Sequence, residues 1–180
     1  QGGNTVIDGK DCWTYSAELQ RRVGYLPGEI ALPAGMTGTQ FLAMQKKMRG
    51  LTDTSYLEKL LERFELDPNI DLKQMSLGTK RKLAVVTAFL HDPQILILDE
   101  PTAVLTPQET EKLFAVMRNM KADGKAVVII THKLHEVLSV SDRVAILRKG
   151  EYVGTVETAT ATESSLTEMM VGQKVELNIN

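Results

Sequence analysis

The feature that most constrains the fold is an unbroken apolar run, residues 95–98, followed at once by two acids, Asp99 and Glu100. A run of this length without alternating polar residues is typical of a strand buried on both faces in a parallel sheet. Ligand sites in open parallel sheets lie at the carboxyl ends of strands, where these acids are expected. Paired acids there suit metal-assisted phosphoryl transfer, one holding Mg²⁺ and the other orienting the attacking water. The alternative is that they only begin a solvated loop.

Capping patterns predict where several helices begin. Capping boxes indicate helix starts at Thr37, Ser55, Ser165 and Thr106, the last with Pro107 at the first helical position. Another helix is predicted over 77–91 and a short one over 133–140. The middle of the chain is therefore expected to be helical.

Short strands are predicted before and after this helical middle. They lie at 5–7, 23–26, 126–130, 144–147 and 152–156. The run 126–130 is predicted to be a second buried strand, parallel to the first. Strands alternating with helices in the second half indicate an α/β fold with a parallel sheet.

Composition narrows the functional classes. The 180 residues fit one domain, or one domain with a small subdomain, and a net charge of −2 gives no sign of nucleic-acid binding. The single Cys12 excludes an internal disulfide framework. No apolar run is long enough to span a bilayer, so any membrane association is expected to go through a partner. Because the chain opens with Gln1 inside a strand-like segment, we expect it to be a piece of a longer protein.

Two further features accompany the paired acids. Ser76, with Gly78 close behind it, stands at a predicted helix start, where a hydroxyl and backbone N–H groups can face an anion. The alternative is a plain N-cap serine. His132 follows the strand 126–130, where it can hydrogen-bond a transferring phosphate or be merely structural.

The order of these features resembles the ATPases of ATP-binding-cassette (ABC) transporters, over nearly the whole chain. MSLGT at 75–79 stands where this family has its LSGGQ signature, and ILILDE at 95–100 stands as the Walker B strand with its glutamate. ITH at 130–132 places the switch histidine, and VGYLP at 23–27 resembles the segment that enters the Q-loop.

The resemblance implies an α/β fold of the P-loop NTPase (RecA-like) type, with a parallel sheet core and a helical ABC subdomain, truncated at the N-terminus. It divides the chain into N-terminal strands and Q-loop region (1–36), the helical subdomain with the signature (37–92), and the Walker B and switch part of the core (93–180).

The resemblance also implies roles for individual residues. Asp99 would hold Mg²⁺, commonly through water, Glu100 would act as catalytic base, and His132 would contact the γ-phosphate of ATP. Glu29 would be a weak substitute for the Q-loop glutamine. The signature would contact the ATP held by the opposing subunit, through Ser76, Leu77, Gly78 and Thr79.

The resemblance implies partners as well. A second nucleotide-binding domain would complete the site, and a transmembrane permease would hold the protein on the inner, cytoplasmic face of the membrane. No nucleic acid is expected. The leading hypothesis is the ATP-hydrolysing subunit of a transporter. The alternatives are a soluble ABC-type ATPase without a permease and a non-enzymatic remnant that acts as an interaction module.

Several departures from the family pattern qualify the prediction. The pattern G-x-x-x-x-G-K-S/T of the phosphate-binding loop does not occur, so we expect this polypeptide alone neither to bind ATP tightly nor to hydrolyse it. Leu77 and Thr79 replace the usual glycine and glutamine of the signature, and Gly28 and Glu29 follow Pro27 where glutamine is usual.

The type of transporter resembled changes along the chain. Residues up to Thr102 resemble subunits of drug- and antibiotic-type exporters, whereas residues from Ala103 resemble those of sugar- or nucleoside-type importers. Two hypotheses are open: a chimera joined near the DEPTA stretch, or one divergent member of the family.

Overall fold

The computed structural model describes residues 3–172, which divide into two compact units between Ile130 and Thr131. The first unit contains, in chain order, β1 (Val6–Ile7), β2 (Lys10–Asp11), α1 (Ser16–Arg22), β3 (Val23–Leu26), α2 (Gly38–Arg49), α3 (Ser55–Arg63), α4 (Leu77–Phe89), β4 (Ile95–Asp99), α5 (Pro107–Ala122) and β5 (Ala126–Ile130). The second contains α6 (Leu134–Val140), β6 (Arg143–Arg148), β7 (Glu151–Glu157), a 3₁₀ turn (Thr158–Thr160) and α7 (Glu163–Val171).

A three-stranded parallel sheet organises the first unit, in the order β3-β4-β5. Val23 of β3 pairs with Ile95 of β4, and Asp99 at the end of β4 pairs with Ile130 of β5. The central strand buries the side chains of one face, among them Leu96, whereas those of the other face are only half-buried, contrary to the predicted burial on both faces. This arrangement confirms the predicted α/β fold, and it brings the carboxyl ends of the three strands to one edge.

Helix α4 lies unusually close to β3 at Gly24. A Cβ at this position would lie 2.2 Å from the carbonyl oxygen of Ala88, so only glycine fits there. The helix buries an apolar face formed by Leu83, Val85, Val86, Ala88 and Phe89. Because its C-terminal half is fixed on β3, the start of α4 is held at a defined place beside the strand ends.

Two predicted capping boxes are confirmed, at the starts of α2 and α5. The hydroxyl oxygen of Thr37 accepts from the backbone N–H of Gln40, and that of Thr106 accepts from Glu109 N–H at 3.2 Å. In both cases the partner side chain bonds back to the cap residue. The termini of these helices are therefore satisfied locally, as the sequence pattern requires.

Helix α3 begins at Ser55, as predicted, but Ser55 is not its N-cap. Thr54 is the N-cap of α3, and its hydroxyl donates to the Glu58 carboxylate at 3.0 Å. The Asp53 carboxylate accepts from the backbone N–H of Ser55 at 2.8 Å, so Ser55 already lies in the first helical turn.

The predicted start at Ser165 is wrong, because α7 begins earlier. Thr162 caps this helix by accepting from the backbone N–H of Ser165 at 3.1 Å. Ser165 is therefore the third helical residue, bonded to the cap, and is not the N-cap itself.

Strand β5 is not buried on both faces, contrary to the sequence-based prediction. Val128 and Ile130 are 48% and 52% exposed. In the part of the chain that the structure describes, β5 lies at the edge of the sheet and pairs with β4 alone. Val128 shares its sheet face with Tyr25 of β3, which is 56% exposed, so the exposure follows from how little packs on this face and not from residue type.

The second unit is built on an antiparallel hairpin. Strands β6 and β7 pair from Arg143 with Glu157 to Arg148 with Glu151, around a tight turn at Lys149 and Gly150. Both turn residues have left-handed backbone angles, as such a turn needs. Between residues 3 and 172, none of the helices has both the length and the hydropathy to span a bilayer.

Candidate functional site

The two predicted acids lie where β4 leaves the sheet. Asp99 is the last residue of β4, and Glu100 follows with a left-handed φ of 45°. The backbone N–H of Glu100 donates to the carbonyl of Ile130 at 2.8 Å, and the Glu100 carbonyl accepts from Ala103 N–H at 3.1 Å. The chain therefore makes a fixed turn at Glu100, directly after the sheet edge.

The loop after β3 meets this edge at Gly28. A Cβ on Gly28 would lie 3.0 Å from Oδ2 of Asp99, so the Asp99 carboxylate packs directly against this glycine. Glu29, the predicted Q-loop substitute, is the next residue of the same loop. The structure thus brings the loop after β3 beside the paired acids, and the ligand role of Glu29 stays a prediction.

Ser76 forms the N-cap of α4. Its hydroxyl oxygen accepts from the backbone N–H of Thr79 at 3.1 Å, and the two hydroxyl groups lie 2.8 Å apart in a hydrogen bond. The capping alternative from the sequence is therefore present. The cap hydroxyl and the first-turn N–H groups face the same end of the helix, so capping and anion binding do not exclude each other. Contact with an anion stays a prediction.

A cleft of about 270 Å³ lies between the loop after β3, the start of α4 and the loop after β4. It is lined by Gly28, Glu29, Ile30, Leu77, Lys80, Arg81, Ala103 and Val104. Leu77, which replaces the signature glycine, is 63% exposed there. Of the predicted site residues, Glu29 and Leu77 border this cleft.

Arg81 is a site residue that the sequence analysis missed. It lies on α4 with 2% of its surface exposed, and its guanidinium donates to backbone carbonyls of both neighbouring loops. Burial lowers the pKa of this guanidinium, whereas the nearby Asp99 and Glu100 act to raise it. A signal was available, because Arg81 lies on the same face as Val85 and Ala88, at helical spacing within the apolar stripe.

His132 lies in the second unit. It follows β5 by two residues, in a short connection to α6 where Lys133 N–H donates to the hydroxyl of Thr131 at 3.1 Å. Strand β5 is parallel to β4, as predicted. The contact of His132 with a phosphate stays a prediction.

Mg²⁺ is the metal that the acids imply. Within residues 3–172, no group of three or more His, Cys, Asp or Glu side chains is gathered as a ready-made metal site. Mg²⁺ does not need one, since it is usually held by one or two carboxylates together with phosphate oxygens and water. Asp99, at the sheet edge, fits that requirement.

Comparison with solved structures agrees with this geometry. The ATP-binding subunit of an ABC transporter superimposes with a TM-score of 0.82 at 26% identity, covering 92% of this chain and 74% of that chain. A dimeric bacterial ABC transporter cassette superimposes with a TM-score of 0.76 at 21% identity, covering 87% of this chain and 74% of that chain. The fold is therefore that of an ABC ATPase cassette.

Sequence relatives lead to the same family. A ribose import ATP-binding protein of Streptomyces avermitilis is 32% identical over 97% of this chain and 35% of its own length. A nucleoside import ATP-binding protein of Lactococcus lactis is 39% identical over 65% of this chain and 24% of its own length. The chain spans about a third of the first of these relatives. Residues 1–103 match the model of the ABC transporter family, to which this chain belongs.

Proposed function

We propose that the chain is part of the ATP-binding and ATP-hydrolysing subunit of an ABC transporter that powers solute import through a membrane partner. The carrying observation is the sheet edge at which Asp99 and Glu100 leave β4, held in a fixed turn against Gly28. Relatives named for ribose, glucose and nucleoside import support a sugar or nucleoside as the solute.

Each acid has a distinct part in the proposed hydrolysis. Asp99 would hold Mg²⁺ of MgATP, which supplies charge neutralisation at the phosphates. Glu100 would accept a proton from the attacking water. The water oxygen would bond to the γ-phosphorus while the bond from that phosphorus to the β–γ bridging oxygen breaks. The fixed backbone at Glu100 supports this role, because general-base catalysis depends on the placement of the carboxylate.

The remaining predicted residues would complete the site. His132 would donate a hydrogen bond to the γ-phosphate. The segment 76–79 would close over an ATP held by a second nucleotide-binding domain, with its first-turn N–H groups and helix dipole facing the anion. The dimeric state of a related cassette supports a two-subunit arrangement. A permease would then hold the assembly on the cytoplasmic face of the membrane.

Trapping of the ATP-bound dimer tests this proposal. In the complete protein that carries these residues, Glu100→Gln removes the proton acceptor but keeps the side-chain shape, so MgATP should accumulate between two subunits. Analytical ultracentrifugation with MgATP should show a dimer for Glu100→Gln that the unchanged protein forms only transiently. A variant that stays monomeric and hydrolyses ATP at the original rate would refute the role of Glu100.

A further inference from the structure

The guanidinium of Arg81 connects helix α4 to two loops at once. Nη1 donates to the carbonyl oxygens of Pro27 at 3.0 Å and Gly28 at 2.9 Å, both in the loop after β3. Nη2 donates to the carbonyls of Asp99 at 2.9 Å and Glu100, at the end of β4. One side chain therefore joins the backbone beside both proposed active-site acids to the helix that carries the signature.

Stability of the fold does not by itself explain the buried guanidinium of Arg81. Arg81 is buried, and its Nε–H is a buried donor without a hydrogen-bond partner. Burying a cation, and leaving one of its donors unsatisfied, both disfavour folding. The advantage of the guanidinium is geometric, because its planar fork donates to two separate pairs of carbonyls, which a lysine ammonium cannot do.

The geometry matters most at Glu100. A left-handed φ of 45° is uncommon for a residue other than glycine, and it persists when neighbouring bonds hold it. Here the Glu100 N–H donates to the Ile130 carbonyl, and the Glu100 carbonyl accepts from the Ala103 N–H and from Arg81. Removing Arg81 takes away a charged donor, and the backbone that aims the Glu100 side chain can then relax.

We propose that Arg81 is a positioning residue, which holds Glu100 in its hydrolytic orientation by fixing the backbone carbonyls of the loops after β3 and β4. The proposal rests on the proposed function of Glu100. Arg81 itself acts through backbone groups and takes no part in proton transfer. Its loss should therefore lower kcat much more than it changes the KM for MgATP.

A double-mutant cycle on the complete protein tests the proposal, because residues that act through one another are not additive. Arg81→Met should lower kcat by about 10- to 100-fold with KM changed by less than about threefold, since small misplacements of reacting groups cost factors of this order. In the Glu100→Gln background, the same substitution should change single-turnover hydrolysis by less than about threefold. Lys82→Met is the matched control, because Lys82 is the next residue of α4 and pairs with the Glu109 carboxylate of α5 at 3.0 Å instead of with the carbonyls that Arg81 binds.

The outcomes separate the two proposals. An equal loss from Arg81→Met in both backgrounds would overturn the positioning role while leaving the role of Glu100 intact. If Glu100→Gln alone left turnover unchanged, the proposed function would fail instead.

Hydrogen exchange provides a measurement that does not depend on turnover. Arg81→Lys keeps the buried charge and replaces Arg81→Met if that variant does not fold. In either folded variant, the backbone amides of Glu100, Thr102 and Ala103 should exchange faster, while those of β4 keep their protection. Protection that is unchanged in this turn, or lost uniformly across the unit, would contradict the inference.

Discussion

The packing of single residues fixes where α4 lies, and Gly24 is the closest point. A methyl group there would meet the backbone carbonyl of Ala88 at 2.2 Å, and a backbone carbonyl cannot rotate away as a side chain can. Gly24→Ala should therefore lower the free energy of unfolding by about 3 kcal/mol, at the upper end of overpacking effects. Urea denaturation would measure this loss.

The control for this prediction lies at the other end of the same helix. A Cβ on Gly78 would meet its nearest neighbour, the carbonyl oxygen of Val104, at 3.4 Å, an ordinary van der Waals distance. Gly78→Ala should change the free energy of unfolding by less than about 1 kcal/mol. Equal losses in both variants would show that α4 does not depend on the close approach at Gly24.

His91 makes stability depend on pH. Its Nε2 lies 2.9 Å from the carbonyl oxygen of Val23, and its Nδ1 is buried without a hydrogen-bond partner. Burial, and then the nearby Arg49, hold the pKa of His91 below its usual value of 6.5, with smaller opposing effects of the Val23 carbonyl and then of Asp92. Because the unfolded chain binds this proton more tightly, stability should be lost as the pH falls below about 6.5.

The substitution His91→Gln tests this linkage. Glutamine keeps a donor for the Val23 carbonyl but does not titrate, so Tm should fall less between about pH 7.5 and 5.5 in the variant than in the unchanged protein. Differential scanning calorimetry at several pH values would show the two slopes. Identical slopes would rule out His91 as their source.

The residue scale also shows what a sequence can reveal about a site. The position of Asp99 and Glu100 at the end of β4 was predictable, because the signal is local, an apolar run that ends in acids. The bonds of Arg81 were not, since its partners at Pro27 and Asp99 are 54 and 18 residues away and are backbone carbonyls that any residue type supplies.

At the scale of whole elements, helix starts can be tested at two positions: Thr106, which is a capping residue as predicted, and Ser55, whose predicted capping role belongs to Thr54. Thr106 caps α5 through its side chain, so Thr106→Ala should lower the free energy of unfolding by about 1 kcal/mol. Ser55 lies within the first turn of α3, where alanine is well tolerated, so Ser55→Ala should change stability by less than about 0.5 kcal/mol. Thermal unfolding of both variants would decide, and a larger loss for Ser55→Ala would contradict the observed start of α3.

The strands differ in how well the sequence predicts their bounds and their burial. Strands 23–26 and 126–130 have the predicted bounds, because apolar runs and turn residues delimit them locally. The exposure of β5 was not predictable, since burial depends on what packs on each face of the sheet, and an apolar run looks the same whether or not a face is covered.

For the whole molecule, the parallel sheet and the order of motifs identify an ABC transporter ATPase cassette. A relative named for ribose import aligns over 97% of the chain, so similarity to importers extends across both parts that the sequence analysis distinguished. The division at 1–36, 37–92 and 93–180 stays a prediction, and its ends at 1–2 and 173–180 lie outside the described residues.

The most direct test of the central claim is the steady-state rate of MgATP hydrolysis by the complete protein that carries these residues. Glu100→Gln should lower this rate by about 100-fold or more, as expected for loss of a general base. Glu111→Gln is the matched control, because Glu111 is an exposed acid on α5 that pairs with Arg118, and its loss should leave the rate within about twofold. A Glu100→Gln protein that hydrolyses ATP as fast as this control would contradict the account.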